Sequence, residues 1–296
     1  FDSRKGIDFS ALSWAKNNYY DKLKDYTIHT IVGNHTAYYK NTNEVNAIDL
    51  LLREYDNVKI YSEVTEIKID NLNILIVPWI NSENEERTFK ALKNSQSRVV
   101  MGHLELNGFH ATQGHIQEHG TPSIAFEGFE RVYSGHYHIR SNKENIYYLG
   151  NPYEMFWNDC GDTRGFHIFD TETLEHTPVN NPYTIFHKIF YEDTNYQTFD
   201  TRKYEDKIVK IIVRQKTDNK KFEKFVDKMY NSNVAELKVV ENFEFNGWYC
   251  EDDDAFESED TMSILNRYIE EADITLDKSV VQKMLQDVYQ EACELI

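Results

Sequence analysis

Val132-Tyr133-Ser134-Gly135-His136-Tyr137-His138 is the stretch on which the reading of this chain turns. Arg131 to Ser134 has the pattern of a strand, Gly135 permits a sharp turn at its C-terminal end, and His-x-His then presents two imidazoles close together. Neutral imidazole is a ligand for Mn, Fe, Zn, Ni or Cu, so the stretch reads as a metal site, although two surface histidines would spell the same short string. Two further fragments decide for the metal. Val99-Val100-Met101-Gly102-His103 is a second apolar run ending in Gly-His, and Thr30-Ile31-Val32-Gly33-Asn34-His35 is a third, ending in Gly-Asn-His.

Outward from these motifs the chain alternates helices and short strands. Asp8 or Ser10 is placed to cap a helix running to about Leu23, and Asn43 to Tyr55 reads as an amphipathic helix with Val45, Ile48, Leu51 and Leu52 on one side. Strands are expected near Tyr26–Val32, Val58–Tyr61, Glu66–Ile69, Asn73–Val77, Arg98–Met101, 131–134, 146–149 and 165–170, with a polar helix over Glu83–Asn94. The fold class is therefore α/β, a layered β core flanked by helices. The run 108–128 holds His110, His115 and His119. His115 and His119 would be a chelating pair on a helix, but Gly114 and Gly120 bracket them and a surface loop is the simpler reading.

Near Asn180-Asn181-Pro182 the chain leaves this first domain, residues 1–180, for a small α+β cap over 181–246, with strands at Tyr183–Tyr191, Ile208–Arg214 and Val234–Val240 and a basic helix at Asn219–Tyr230. Residues 247–260 form an acidic linker, with seven acids between Glu251 and Asp260. A helix pair over 261–296 closes the chain, its last member carrying the apolar stripe Val281, Met284 or Leu285, Val288, Ala292 and Leu295. Such a stripe folds back on its own domain or docks into a partner.

A net charge of −18 argues against attraction of nucleic acid over the whole surface, because duplex binding is driven largely by phosphate neutralisation. Residues 200–228 depart from this balance, with ten basic residues against six acids. Lys207, Lys210, Arg214, Lys220, Lys221 and Lys224 in that segment are the candidate DNA contacts, against the simpler reading of a solvated face. Three widely spaced cysteines with no Cys-x-x-Cys pair point to a reducing compartment. No apolar run approaches the ~20 residues that a membrane span needs.

The order Gly-Asn-His, then Gly-His about seventy residues on, then Gly-His-x-His about thirty after that, resembles the calcineurin-like metallophosphoesterases. Gly150-Asn151-Pro152-Tyr153 and the strand Arg164-Gly165-Phe166-His167-Ile168-Phe169-Asp170 extend the resemblance to the nuclease subunits of double-strand-break repair complexes, the bacterial SbcD and T4-like phage recombination exonuclease subunits among them. The resemblance implies a Mn-dependent DNA exo/endonuclease that hydrolyses phosphodiester bonds with two metal ions, Mg2+ being possible in their place. By position, Asn34, His103 and His136 would ligate one ion and His138 the other. His35 would be the catalytic histidine that stabilises the scissile phosphate or protonates the leaving oxygen. It further implies a homodimer through the first two helices, and docking of the terminal helix, through Val281, Leu285 and Val288, onto an SMC-like ABC ATPase of the SbcC type. Its setting would be bacterial cytoplasm or a phage-infected cell, in recombination, replication and double-strand-break repair.

Two departures qualify that picture. The family begins with Asp-x-His and Gly-Asp blocks that are absent here, so the sequence is expected to start inside a domain, to hold one metal weakly and to show little activity by itself. Thr36 stands where the family has Asp, which removes a charge from beside His35. Both departures also permit a non-catalytic scaffold subunit of the same complex. A phosphomonoesterase or cyclic-nucleotide phosphodiesterase of the superfamily is the third reading, disfavoured because a small-substrate enzyme needs neither the basic cap nor the helix pair.

Overall fold

The computed structural model describes residues 3–112, 115–213 and 218–241, together with residues 269, 278, 280, 281 and 284. The chain divides into two compact units. Phe1–His187, Arg202–Val209 and Asn233–Glu236 make the first, and Lys188–Thr201, Lys210–Ser232 and Leu237–Ile296 the second.

The first unit is a mixed α/β structure. Helix α1 (Phe9–Ala15) begins where the Asp8 carboxylate accepts the N–H groups of Ser10 and Ala11, at 2.8 and 3.1 Å. Its winding then loosens to a π turn over Lys16–Tyr20 and tightens to a 3-10 turn at Asp21–Leu23. Strand β1 (Ile28–Ile31) follows, then α2 (Ala47–Leu52) and β2 (Val58–Tyr61), which pairs parallel with β1. Helix α2 is shorter than its apolar pattern suggested, because Asn46 caps it by accepting the Asp49 N–H at 2.9 Å, while residues 43–45 bend and Asn46 bridges antiparallel to Ala37.

Strands β3 (Thr65–Ile69) and β4 (Leu72–Val77), helix α3 (Glu85–Asn94), β5 (Val99–Gly102), β6 (His110–Thr112), β7 (His115–Ile116), β8 (Arg131–Ser134), β9 (Ser141–Lys143) and β10 (Ile146–Tyr148) come next. Six of these strands form one sheet in the order β3-β4-β5-β8-β10-β9, with β4, β5, β8 and β10 mutually parallel. Both faces are covered, which is why Asn73 to Val77 reads as an almost continuous apolar run. Leu75, Val77, Val100, Val132 and Tyr148 pack on one face with Leu92 of α3. Ile74, Ile76, Val99 and Tyr133 pack on the other, against Ile31 and Tyr61 of β1 and β2 and Phe169 of β11 (Gly165–Phe169), which pairs antiparallel with β12 (His176–Asn180).

Four buried asparagines tie the loops at the top of this core. Asn43 Nδ2 donates to the carbonyls of Trp79 and Ser62, at 2.9 and 3.2 Å, and Asn84 Nδ2 donates to the same Trp79 carbonyl at 3.0 Å. Asn81 Nδ2 donates to Asn43 Oδ1 at 3.1 Å, and Asn46 Nδ2 to the Asn43 carbonyl at 3.0 Å. Buried polar groups require partners, and here the amides find them mostly in loop carbonyls and once in each other.

The second unit holds α4 (Asn219–Tyr230) and most of a three-stranded sheet ordered β13 (Phe186–Phe190), β14 (Ile208–Val213), β15 (Glu236–Glu241). Asp218 caps α4, and Phe222, Phe225 and Met229 are its buried face. The acidic linker lies outside the described residues. No helix among the described residues is long and apolar enough to cross a membrane.

Candidate active site

The parallel strands end in register. Val77 faces Gly102, Gly102 faces Ser134 and Ser134 faces Tyr148, so the residues that follow these strands emerge along one edge. Backbone bonds extend the ladder there, His103 N to Val77 O, Gly135 N to Gly102 O and Trp79 N to Val32 O, at 2.9 to 3.0 Å. The last of these brings the end of β1, and with it Gly33-Asn34-His35, to the same edge. Ligands of open α/β sheets bind at this carboxyl edge.

Two of the glycines preceding the histidines are explained by space, while a Cβ on Gly135 would meet only His103 Nδ1, at an ordinary 3.5 Å. A Cβ on Gly33 would stand 2.9 Å from Cε1 of the His103 ring, and one on Gly102 would stand 2.8 Å from the Val77 carbonyl. His-x-His has an equally plain cause. Tyr137 turns into the core, where its hydroxyl donates to the Leu106 carbonyl at 2.8 Å and its ring packs on Tyr148, anchoring the turn that carries the two histidines. His136 adopts φ 84°, a left-handed conformation that costs a non-glycine residue of order 1–3 kcal/mol and is concentrated at functional sites.

Three of the candidate ligands converge. His103 Nε2 lies 2.8 Å from Asn34 Oδ1 and 3.3 Å from His136 Nδ1. One proton on His103 Nε2 cannot serve both neighbours, whereas a shared cation would. Two ligands about 2.1 Å from one ion, 90° to 109° apart, lie about 3.0 to 3.4 Å from each other; the 3.3 Å His103–His136 separation falls in that range and the 2.8 Å His103–Asn34 separation just below it, so a small outward movement of the Asn34 amide fits the donor set to a metal. Burial, with the His136 and His35 charges adding to it, pushes His103 down to about 3, and burial with His35 and His138 pushes His136 down to about 4. Both rings are thus neutral and ligand-competent at pH 7. Glu105 Oε2 stands 3.9 Å from the other nitrogen of His136. Among the described residues no three His, Cys, Asp or Glu side chains gather into a metal-holding group, and here the third donor is an amide.

His35 is exposed at this edge and acts electrostatically on both His103 and His136. Thr36 does not stand in for a carboxylate: its hydroxyl accepts the Gly33 N–H at 2.9 Å and donates to the Gly33 carbonyl at 3.0 Å, closing the turn that presents Asn34. His138 lies apart from the convergent set. Its Nδ1 is 3.3 Å from Asp159 Oδ1, and its ring stacks on Phe156 with an interplanar angle of 10°. Asp159 also pairs with Arg164 at 3.0 Å and takes the Met155 N–H at 2.8 Å. Burial raises its pKa, but the His138 and Met155 hydrogen bonds and the Arg164 charge outweigh that and lower it below the usual carboxylate value. Asp159 carries no motif in the sequence, being one of two acids in the turn-rich run Trp157-Asn158-Asp159-Cys160-Gly161-Asp162.

The remaining candidates divide. Lys220, Lys221 and Lys224 are exposed on α4, opposite its buried face, and the Lys207 amine donates to the Thr184 carbonyl at 2.6 Å. Lys210 is a correction: only 4% exposed, it points inward from β14, on a strand buried on both faces, and offers nothing to a phosphate backbone. His115 lies on a strand, so it and His119 form no helical chelating pair. Val281 is helical and half-buried, while Arg214, Leu285 and Val288 lie outside the described residues.

No protein-family model matches the chain. It is 32% identical over 299 residues to a protein named exonuclease subunit 1 from Enterobacteria phage T4, an alignment that takes in 99% of this chain and 86% of that relative. Identity of that extent, with the Gly-Asn-His, Gly-His and Gly-His-x-His turns gathered at one sheet edge, places the chain in the exonuclease subunit 1 family.

Proposed function

We propose that the chain is the nuclease subunit of a two-component complex, a Mn-dependent DNA exo/endonuclease that hydrolyses phosphodiester bonds with two metal ions. The observation that carries this reading is the convergence of Asn34 Oδ1, His103 Nε2 and His136 Nδ1, with separations that suit a shared cation, in a relative of an exonuclease subunit. Asn34, His103 and His136 would hold one ion and His138 would contribute to a second. When bound, such a pair supplies a hydroxide nucleophile at neutral pH and neutralises the charge that grows on the phosphate. The residues of the chain do the rest. The neutral imidazoles offer lone pairs without a competing proton, and exposed His35 meets the leaving oxygen as proton donor, unaided by charge from Thr36.

DNA is held in this reading by Lys220, Lys221 and Lys224 of α4. The dimer forms through the helical run beginning at α1, none of whose residues is buried and which exposes Phe9, Trp14 and Tyr19. The terminal helix, through Val281, Leu285 and Val288, meets an SMC-like ATPase, which agrees with the relative being named a subunit. The test is digestion of linear duplex DNA by the full-length protein in Mn2+. His136→Ala should abolish cleavage, and His35→Ala should reduce it about 10²- to 10⁴-fold, the usual contribution of a general acid. Undiminished cleavage by purified His136→Ala would refute the assignment, and wild-type protein that binds DNA and the ATPase without cleaving would make it a scaffold.

A further inference from the structure

We propose that Asp159, braced by Arg164, is the positioning residue for His138, fixing its imidazole with the Nδ1 proton turned inward and the Nε2 lone pair left free for a ligand. The use of that lone pair rests on the functional reading above; the orientation itself does not. A carboxylate can only accept, so the 3.3 Å contact between Asp159 Oδ1 and His138 Nδ1 requires the proton on Nδ1, and a neutral ring then has a bare Nε2. Metal-ligating histidines are commonly set this way by a carboxylate, whose loss typically costs 10- to 100-fold in metal affinity.

The carboxylate is itself immobilised. It is 2% exposed, and its second oxygen takes the backbone N–H groups of Met155 and Phe156, at 2.8 and 3.2 Å. Arg164, 4% exposed, reaches both ends of the arrangement: one guanidinium nitrogen donates to the His138 backbone carbonyl, and the other lies 3.0 Å from Asp159 and 3.0 Å from Asp162. Phe156, held by the same carboxylate through its N–H, stacks on the face of the His138 ring. His138 is therefore fixed at its backbone, its ring face and its inner nitrogen. A role limited to capping the turn at Met155 would need neither the contact with the ring nor the bond from Arg164 to the His138 carbonyl.

The experiment is long-range 1H–15N correlation of the imidazoles in the full-length, metal-free protein at mildly alkaline pH, with His138 assigned by His138→Gln. Wild type should show His138 protonated on Nδ1, and Asp159→Leu should move the proton to Nε2. Manganese titration of Asp159→Asn should show affinity falling about 10- to 100-fold at one site and unchanged at the other, with Asp159→Glu recovering part of the loss. Wild-type His138 protonated on Nε2, or an unchanged tautomer and unchanged affinity in a folded Asp159 variant, would overturn the proposal. Should Asp159→Leu fail to fold, Asp159→Asn carries both readouts. A wild-type protein that binds no manganese, yet shows the tautomer and its shift, would sink the metal reading while leaving Asp159 as the residue that orients His138.

Discussion

Gly33→Ala offers a sharp test of how the strand-end turns meet. The new methyl would stand 2.9 Å from Cε1, 3.0 Å from Nδ1 and 3.1 Å from Nε2 of His103, squarely over the ring. Carbon atoms prefer to lie about 3.5 to 4.0 Å apart, so the ring must retreat by about 0.5 to 1 Å. That retreat stretches the 2.8 Å contact between His103 and Asn34 to or past the hydrogen-bond limit. Overpacking of this kind costs about 1–3 kcal/mol and the lost bond about 1 more. Alanine stiffens the unfolded chain and so returns about 0.4–1 kcal/mol, leaving a net destabilisation of about 2 kcal/mol. Urea unfolding of the metal-free protein reads the stability, and calorimetry with Mn2+ reads the displaced ligand. Gly128→Ala is the control, since a methyl there meets nothing within 4 Å, and its stability should be unchanged or slightly raised. Wild-type stability together with wild-type manganese affinity in Gly33→Ala would mean that His103 does not lie over that turn.

Acid should weaken the metal-free fold before its carboxylates titrate. In the unfolded chain His103 and His136 protonate near 6.5, while in the fold they are held to about 3 and about 4, so between these limits the unfolded state binds protons that the folded state refuses. Stability therefore falls as pH drops from 6.5 toward 4, by up to about 1.4 kcal/mol per pH unit for each histidine, and His136→Asn should remove its share of that slope; a urea midpoint that is flat from pH 6.5 to 4.5 contradicts the burial. Replacing Lys220, Lys221 and Lys224 by Glu should lower the slope of log affinity against log salt for duplex DNA by up to about 2.7, at about 0.9 per phosphate contact, and an unchanged slope places the DNA elsewhere. Trp14→Glu should shift the sedimenting mass from dimer to monomer without loss of fold, whereas Ile48→Glu, at a position 5% exposed, should unfold the first unit; a dimer that survives Trp14→Glu rules out that face.

The strands were legible because their apolar runs are short and bounded, and the turns at Gly33 and Gly102 because glycine there marks places where a ring or carbonyl comes too close for a methyl. Amphipathicity served less well as a guide to contacts. Ile48 looked like part of an exposed interface stripe, but α2 turns it into the core with Val32 and Trp79 and leaves Leu50 outside. Lys210 counted toward a basic segment, yet β14 is buried on both faces and a charge tally cannot see which way a strand residue points. Asp159 and Arg164 were invisible as a pair because their meaning lies in His138, more than twenty residues earlier.

The amide lattice of Asn43, Asn46, Asn81 and Asn84 has a consequence for how the protein ages. None of these groups titrates, so the loops they tie keep their geometry across the pH range in which the histidines respond. Spontaneous hydrolysis of a side-chain amide to a carboxylate is a different matter. At Asn43 it would replace a donor with an oxygen anion facing the Trp79 and Ser62 carbonyls at 2.9 and 3.2 Å, in a setting that water does not reach. A stored sample carrying that change by mass should therefore lose the arrangement around Trp79, whose N–H holds the end of β1 to the sheet, and with it the alignment of Asn34 with His103.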